Sequence, residues 1–363
     1  MAGGSMAMVI FGTIEAYEVA KIKEFLSHSL EALYPLLRGK KILMKPNLLS
    51  GRPPDRAVNT HPLFVRAVAE ILRDCGCRLH VGDSPGFEST ERALKASGIL
   101  EALKGMDVGL RTFEKRVRKR FEGLSPFREF ILGEEPSEFD MIVNLPKLKT
   151  HTVVGLTLGV KNTFGFVPRL EKAKWHLRAG KDRRLFSQIL IDIHRLVDPK
   201  LTILDGIVAM DGDGPSHGRV RTLGVVAVSD DAFCLDCALE GLLGIRVPLP
   251  ITEVAKREGL IKDFEVEYKG SIEIRDFEMP KTVDVDSPLP KLLRRLLRAF
   301  FLRKPRLRRP LCKGCSVCAD VCPKGAIKME DGLPRFDYGS CIYCYCCQEL
   351  CPNGAIALSP SLS

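Results

Sequence analysis

Short apolar runs alternate with amphipathic stretches from about residue 8 to residue 285. The runs KILM, RLHVGD, MIVNLP and LTILDG are rich in Ile, Leu and Val and end in turn residues, which is typical of buried strands. Between them, HPLFVRAVAEILRDC and LFSQILIDIHRLVD carry apolar residues at helical spacing. Strands separated by helices predict an α/β fold with a mostly parallel sheet and flanking helices.

Polar side chains follow each of the four predicted strands. They are Lys45 and Asn47, Asp83 and Ser84, the group Asn144, Lys147, Lys149 and His151, and Asp205. In open parallel sheets, ligands bind outside the carboxyl ends of the strands. The four groups together therefore predict a pocket that binds an anion. The alternative is that each group is only a strand-terminating turn, where Pro, Gly, Asn and Asp are common.

The segment HTVVGLTLGVKNTFG, residues 151–165, adds Lys161 and Asn162 to this set. Spaced glycines let backbone N–H groups approach a phosphate, and a lysine completes the charge. The order of residues is not that of a Walker loop. The segment predicts a site for an unidentified nucleotide or another anionic ligand, unless the glycines serve close packing instead.

The C-terminal part of the chain repeats one cysteine pattern. Each copy has three cysteines at two-residue gaps, then a fourth followed by proline. The eight cysteines are Cys312, Cys315, Cys318, Cys322, Cys341, Cys344, Cys347 and Cys351. This spacing resembles that of bacterial two-cluster ferredoxins, in which the fourth cysteine of each run ligates the other cluster. We therefore predict two 4Fe–4S clusters and a role in electron transfer.

The predicted pairing crosses the two repeats. One cluster is assigned to Cys312, Cys315, Cys318 and Cys351, and the other to Cys341, Cys344, Cys347 and Cys322. Zinc is the alternative, but its sites usually take two separated C-x2-C pairs. The additional Cys346 breaks the repeat and is predicted to be a small buried residue or a thiol near a cluster.

Composition and charge also predict where the protein is located in the cell and which segment connects its two domains. The chain has 363 residues and a formal net charge of +10, and its N-terminus lacks a secretory pattern, so we expect a cytoplasmic protein. Residues 1–287 are predicted to form the α/β domain, 288–310 a basic amphipathic connector and 311–363 the ferredoxin domain. The connector is expected to cover the α/β domain. The alternative is peripheral membrane contact through 291–309, whereas nucleic acid is disfavoured.

The runs LPKLKTH and GVKNTFG, with KPN, GDSPG and DGIVAMDGDGP, resemble the domain of unknown function 362 family. Members often end in a two-cluster ferredoxin, as this chain does. A more distant similarity is to nickel-pincer lactate racemases, in which a His and a Lys surround a nickel–nucleotide cofactor. His151 and Lys161 have a similar spacing here. GDSPG lacks the histidine expected nearby, so this similarity implies a nucleotide pocket rather than racemase chemistry.

Two functions are compatible with the sequence. The first is an oxidoreductase, in which low-potential electrons reach an anionic or nucleotide-like molecule in the α/β domain. His151 or Asp83 then donates the proton, and the other strand-end residues bind the ligand. The second is a non-catalytic carrier or adaptor that docks on a larger redox complex. Both predict a redox partner protein, and the first also predicts an anionic small molecule.

Overall fold

The computed structural model describes residues 6–280, 282 and 303–360. Most of the predicted connector, including residues 288–302 and much of the proposed membrane segment 291–309, lies outside these residues. Its assignment therefore stays a prediction, as do the domain boundaries.

The α/β domain is built on a ten-stranded sheet and a separate hairpin. The strands are β1 (Ala7–Thr13), β2 (Lys41–Pro46), β3 (Arg78–Gly82), β4 (Val108–Arg111), β5 (Val117–Arg120), β6 (Glu129–Leu132), β7 (Met141–Leu145), β8 (Lys147–His151), β9 (Gly155–Thr157), β10 (Leu201–Asp211), β11 (Arg219–Ser229) and β12 (Phe264–Lys269). The sheet order is β12-β1-β11-β10-β7-β2-β3-β4, with β8 paired to β10 and β9, and β5 and β6 form the hairpin.

The sheet has a parallel part and a mixed part. Neighbours from β10 through β7, β2 and β3 to β4 run parallel, whereas β11 is antiparallel to both β10 and β1. The mostly parallel sheet is confirmed, and each of the four predicted strands is present. Because β2, β3 and β7 are parallel neighbours, the polar residues that follow them lie at one edge.

Helices cover both faces of the sheet. They are α1 (Val19–Ser29), α2 (Tyr34–Leu37), α3 (Pro62–Asp74), α4 (Thr90–Ala96), α5 (Ile99–Ala102), α6 (Gly159–Asn162), α7 (Arg169–Ala179), α8 (Arg183–Val197), α9 (Ala232–Leu242) and α10 (Pro250–Arg257). Proline at the first position and the His61 cap start α3, and the Asp182 carboxylate caps α8.

Two apolar layers hold the helices to the sheet. On one face, Phe64 and Val68 of α3 join a buried cluster with residues of β2, β3 and β7. On the other, Ile189 and Ile193 of α8 pack in a second cluster. That second cluster also includes the buried Tyr345 from the cysteine-rich region. The C-terminal module therefore shares a core with the α/β domain.

The cysteine-rich module consists of two short antiparallel pairs and two single-turn helices. Its elements are β13 (Arg303–Leu307), β14 (Ile327–Glu330), β15 (Leu333–Phe336), β16 (Ile356–Pro360), α11 (Val317–Asp320) and α12 (Cys346–Glu349). β13 pairs with β16, and β14 pairs with β15. Each helix lies within one cysteine repeat, so the internal symmetry of the sequence is also present in the fold.

Candidate functional site

A cavity of about 360 Å³ lies between the α/β domain and the cysteine-rich module. Its α/β wall includes the predicted residues Asn47, Asp83, Ser84, Lys149, Lys161 and Asn162. Its other wall is formed by Asp320, Val321, Cys346, Glu349 and Leu350 of the cysteine-rich module. Six of the predicted ligand residues thus meet in one place, and the cavity borders the segments that carry the cysteines.

A buried ion pair holds the ends of β2 and β3 together. Lys45 Nζ lies 2.8 Å from Asp83 Oδ1, and both side chains are almost fully buried. Asp83 also accepts hydrogen bonds from the backbone N–H groups of Leu48 and Ser84, each at 2.8 Å. Asp83 lines the cavity, whereas Lys45 lies behind it. Because every oxygen of Asp83 has a donor, this carboxylate positions the site rather than moving protons.

Gly165 leaves room for this ion pair. A Cβ atom added to Gly165 would lie 1.8 Å from Asp83 Oδ1 and 2.5 Å from Lys45 Nζ. Neither group can withdraw without losing its buried partner. The glycine of the NTFG motif is therefore required by close packing against the two charged groups.

We expect Gly165→Ala to lower the free energy of unfolding by about 1–3 kcal/mol, because overpacking forces the buried pair apart. Urea unfolding measures this change. Gly241→Ala is the matched control, because a Cβ at Gly241 meets nothing within 4 Å. Gly241 lies near the end of α9, so the control is expected to be neutral or to stabilise by up to about 1 kcal/mol. Equal stability of the two variants would contradict this role of Gly165.

Three asparagine side chains form a hydrogen-bonded chain at the base of the cavity. Asn47 Nδ2 donates to Asn162 Oδ1 at 2.9 Å, Asn162 Nδ2 donates to Asn144 Oδ1 at 2.8 Å, and Asn144 Nδ2 donates to the Gly159 carbonyl at 2.9 Å. Asn144 itself does not line the cavity; it fixes α6 to β7. The buried Asn47 Oδ1 has no partner among the described residues. The chain therefore orients Asn162 and leaves a free acceptor at its Asn47 end.

Three lysines bring positive charge to the cavity. Lys149 Nζ donates to the Val58 carbonyl, and Lys172 Nζ to the Ser84 and Pro85 carbonyls. Lys161 has no hydrogen bond or ion pair in the described part of the chain; its ammonium lies 5.9 Å from the centre of the Phe164 ring.

Burial lowers the pKa of all three lysines. The pKa of Lys149 falls to about 7, with Glu349 opposing the shift and Lys161 adding to it. The pKa of Lys172 also falls to about 7, with Asp83 opposing the shift and Lys45 adding to it. Burial lowers the pKa of Lys161 as well. Near neutral pH, Lys149 and Lys172 therefore exchange protons readily.

His151 lies one layer behind the cavity wall. Its Nδ1 accepts from the backbone N–H groups of Val153 and Val154, at 3.1 and 3.4 Å. Burial, followed by the charge of Lys161, lowers the pKa of His151 to about 4, so the ring is neutral at pH 7. The neutral ring carries its proton on Nε2, which lies 3.5 Å from Glu349 Oε2. His151 therefore does not face the cavity; it orients Glu349, which does.

Two other predicted ligand residues lie away from the cavity. Lys147 Nζ is 2.8 Å from Asp205 Oδ2 and 2.6 Å from Tyr17 Oη, and Tyr17 donates to Asp205 Oδ1 at 2.7 Å. The His61 N–H donates to Asp205 at 2.9 Å, and its ring stacks on Tyr17 with centroids 3.5 Å apart. This closed network fixes the start of α3 to β8 and β10. The geometry assigns Lys147 and Asp205 a structural role.

Sequence reasoning missed Arg169 and Lys172 on one face of α7. Arg169, Lys172 and His176 all line the cavity and are spaced three and four residues apart, so they lie on one helix face. This polar spacing was visible in the sequence, but it follows no strand. Burial lowers the pKa of His176 to about 3, so this ring is neutral at pH 7. Glu349 was also missed, because its position beside lysines depends on the docking of the cysteine-rich module.

Polar contacts hold the two domains together beside the cavity. Arg52 donates to the carbonyls of Cys351 and Pro352, and Gln348 Nε2 donates to the Asp213 carbonyl at 3.2 Å. His217 Nε2 lies 2.8 Å from the Cys351 carbonyl. Together with the shared apolar core, these contacts fix the module against the open end of the site.

Comparison with known families identifies the α/β domain. Residues 42–239, just over half of the chain, match the family described as Domain of unknown function (DUF362). The chain belongs to this family. The DUF362 match includes the strand-end residues and α6 to α9, and therefore most of the α/β wall of the cavity.

The cysteine-rich module matches a second family. Residues 311–355 match the 4Fe-4S dicluster domain, which makes this an iron–sulfur protein with an electron-transfer role. Two small cavities in this module are each lined by four cysteines. One set is Cys312, Cys315, Cys318 and Cys351, and the other is Cys322, Cys341, Cys344 and Cys347. These two sets are the same as the two sets predicted from the sequence.

Two individual proteins resemble the DUF362 chain. Thylakoid-associated protein sll1697 from Synechocystis sp. is 35% identical over 272 residues, covering 73% of this chain and 84% of the relative. The lactate racemase apoprotein from Thermoanaerobacterium thermosaccharolyticum matches with a TM-score of 0.40 and 14% identity. That match covers 61% of this chain and 54% of the racemase, about half its length, and nothing about activity follows from it.

Single metal ions and membrane spans were also sought in the part of the chain that the structure describes. No group of three or more His, Cys, Asp or Glu side chains there is placed to hold one metal ion. None of the helices there is long and apolar enough to cross a membrane.

Proposed function

We propose that this DUF362 protein is an iron–sulfur oxidoreductase that acts on a small dianionic molecule bound in the interdomain cavity. The observation that carries the proposal is the composition of the cavity wall. One side presents buried lysines, and the other presents Cys346, Glu349 and Leu350, which lie next to the predicted cluster ligands Cys347 and Cys351. A ligand in the cavity would contact both the anion-binding groups and the electron-transfer module.

The charges around the cavity favour a ligand with two negative charges. Four cationic side chains line it, namely Lys149, Lys161, Arg169 and Lys172, against the carboxylates of Asp83, Asp320 and Glu349. Asp83 is already held in a buried pair with Lys45. Arg169 has only an exposed pair with Glu114 at 3.8 Å, which is weak and leaves the guanidinium available to a ligand. When the lysines are protonated, the surplus is therefore two positive charges. Phosphate esters and dicarboxylates carry the complementary charge.

The cysteine sets fit the cofactor that the dicluster family implies. Each small cavity is surrounded by four thiols, which is the donor set of a 4Fe–4S cluster. We infer that the module holds two such clusters, one per set. When bound, they supply one-electron chemistry at low potential. Electrons have a short path to the cavity, because α12 carries both Cys347 and the wall residues Cys346 and Glu349.

The protein side chains supply binding and protons. Lys161 is available to bind the anion because no described carboxylate or carbonyl lies within hydrogen-bond or ion-pair distance of its ammonium. Lys149 and Lys172, with pKa values near 7, donate protons as electrons enter the substrate. This assignment replaces the expectation that His151 or Asp83 is the donor, because His151 faces Glu349 and Asp83 is held by three donors. Asn47 Oδ1 accepts a hydrogen bond from the ligand.

The second candidate is a non-catalytic carrier or adaptor that docks on a larger redox complex. The printed name of the Synechocystis relative, a thylakoid-associated protein, favours it. In that case the chain is cytoplasmic with peripheral membrane contact, and the cavity binds an anion only to regulate or position the module.

The test measures electron transfer to the ligand as well as ligand binding. Holoprotein is prepared anaerobically, and native mass spectrometry identifies any co-purified anion. Oxidation of reduced viologen is then recorded with a panel of phosphate esters and dicarboxylates. We expect one class to be reduced, and we expect Lys161→Met to abolish this reaction while the exposed Lys21→Met retains it. Anion binding without viologen oxidation by any member of the panel would support the carrier instead.

A further inference from the structure

One cysteine of the ferredoxin module faces solvent. Among the eight predicted ligands, Cys315 is exposed, whereas the others are buried or half-buried. Cys315 belongs to the set that includes Cys312, Cys318 and Cys351. Electron exchange between proteins requires close approach, so the surface around Cys315 is the accessible entry to this module.

That surface is basic. Arg308, Arg309 and Lys313 flank the first cysteines and are exposed, and Arg56 of the α/β domain, four residues after Arg52, is exposed as well. Contacts near Cys351 bring the two domains together. Arg52 donates to the Cys351 carbonyl at 3.3 Å, and His217 Nε2 lies 2.8 Å from the same carbonyl. The Arg308 N–H donates to the nearby Ala355 carbonyl at 2.7 Å. Arginines of both domains thus gather next to a cysteine of the same set.

The four exposed cations are uncompensated by ion pairs. The described residues place no carboxylate within ion-pair distance of Arg56, Arg308, Arg309 or Lys313. Two carboxylates lie near these four cations. Asp55 precedes Arg56 in the chain, and Asp331 precedes Gly332, whose carbonyl lies close to Gly314. The surface, which we call the Cys315 patch, keeps a surplus of positive charge.

We propose that the Cys315 patch is the docking surface for an acidic, low-potential, one-electron carrier protein. Charge complementarity steers the carrier onto the patch and places its redox centre next to Cys315. One electron then leaves the reduced carrier and enters the cluster held by the Cys315 set; no covalent bond changes. This inference is independent of the proposed substrate, because it concerns the opposite end of the electron path.

A membrane surface is a poorer occupant for this patch. Interfacial binding scales with the apolar area that enters the headgroup region. The patch contains one large exposed apolar residue, Leu311, at 43% exposure. Apart from Leu311 and the smaller exposed Pro310, the patch is dominated by charged side chains, so electrostatic contact with another protein fits it better than insertion into lipid.

The experiment compares two charge-reversal variants of the holoprotein. The test variant combines Arg308→Glu, Arg309→Glu and Lys313→Glu. The control variant combines Arg38→Glu, Lys104→Glu and Lys256→Glu, which change the net charge equally at exposed positions of the α/β domain. Iron content and circular dichroism first establish that both variants fold and are loaded.

Association with a purified acidic flavodoxin is measured by biolayer interferometry with oxidised proteins, across a range of salt concentrations. We expect the association rate constant of the test variant to fall by about tenfold or more at low salt, with its salt dependence abolished. The control variant should stay within a few-fold of the native protein, and basic cytochrome c should gain affinity for the test variant.

Three outcomes would overturn the proposal. The first is that flavodoxin does not bind the native protein. The second is that the test and control variants lose affinity equally, since the effect would then be one of net charge alone. The third is that the native protein binds vesicles containing phosphatidylglycerol, loses this binding when the patch is changed, and does not bind flavodoxin. That result would assign the patch to a membrane.

Discussion

Replacing Lys45 by methionine is expected to lower the free energy of unfolding by about 3–5 kcal/mol, because it leaves the Asp83 carboxylate buried without its cation. Lys45 and Asp83 are 2.8 Å apart, with side chains that are 0% and 4% exposed. Urea unfolding of the protein and the variant measures the difference.

Two further variants test whether the loss of stability comes from the unpaired charge. Lys45→Met combined with Asp83→Asn removes both charges and should recover much of the lost stability, because no unpaired ion remains. Lys104→Met removes a surface pair with Glu101, whose side chains are more than three-quarters exposed, and should change stability by less than about 1 kcal/mol. A double variant as unstable as Lys45→Met would show that the charges are not the cause.

Affinity for a dianion should fall as pH rises through the pKa values of the cavity lysines. Lys149 and Lys172 have pKa values of about 7, so they carry protons below pH 7 and lose them above it. Only the protonated lysines attract the anion. We expect affinity to fall by up to about tenfold per pH unit for each lysine above pH 7, because one pKa unit corresponds to about 1.4 kcal/mol.

Calorimetry with oxalate between pH 6 and pH 9 tests this, since oxalate remains a dianion throughout. Lys172→Met should weaken binding at pH 6 by at least about tenfold and make the pH dependence shallower. In buffers of different ionisation enthalpy, binding near pH 7 should show proton uptake. Affinity that is independent of pH in the native protein would remove Lys149 and Lys172 from the anion site.

The same lysines influence the stability of the ligand-free protein in the opposite direction. Their folded pKa values lie below the unfolded value of about 10.4. Between about pH 7 and pH 10.4, the unfolded chain therefore holds protons that the folded chain lacks. Stability contributed by these groups rises with pH across this window. Binding of the anion and stability of the free protein thus have opposite pH dependences.

The strand-end residues show how far the sequence could predict the site. Asn47, Asp83 and Ser84 line one cavity, because the parallel strands β2 and β3 end at one edge of the sheet. Lys149 reaches the same cavity from within β8, and Lys161 and Asn162 reach it from α6. Lys147 and Asp205 were predicted by the same pattern, yet they lie within β8 and β10 and pair with each other. The pattern predicts where a strand ends, but the twist and register of β8 against β10 decide what each side chain faces.

His151 shows the same limit of sequence-based prediction for a single side chain. Its neighbours in sequence suggested a ligand-binding or proton-donating group. In the structure, the N–H groups of Val153 and Val154 occupy one ring nitrogen, and the other faces Glu349. Local backbone geometry and a residue almost two hundred positions away therefore decide its role. Neither can be read from spacing.

The sequence by itself determined four strands and two helices of the α/β domain and the iron–sulfur chemistry of the C-terminal module. Apolar periodicity is a local property, so the strands and helices could be read from it, and cysteine spacing reflects the short loops that a cluster requires. Only the tertiary structure decided that the ferredoxin module closes the cavity at the strand ends. That arrangement depends on contacts such as Arg52 with Cys351 and the shared packing of Tyr345. These contacts join residues far apart in the chain, and no local pattern specifies them.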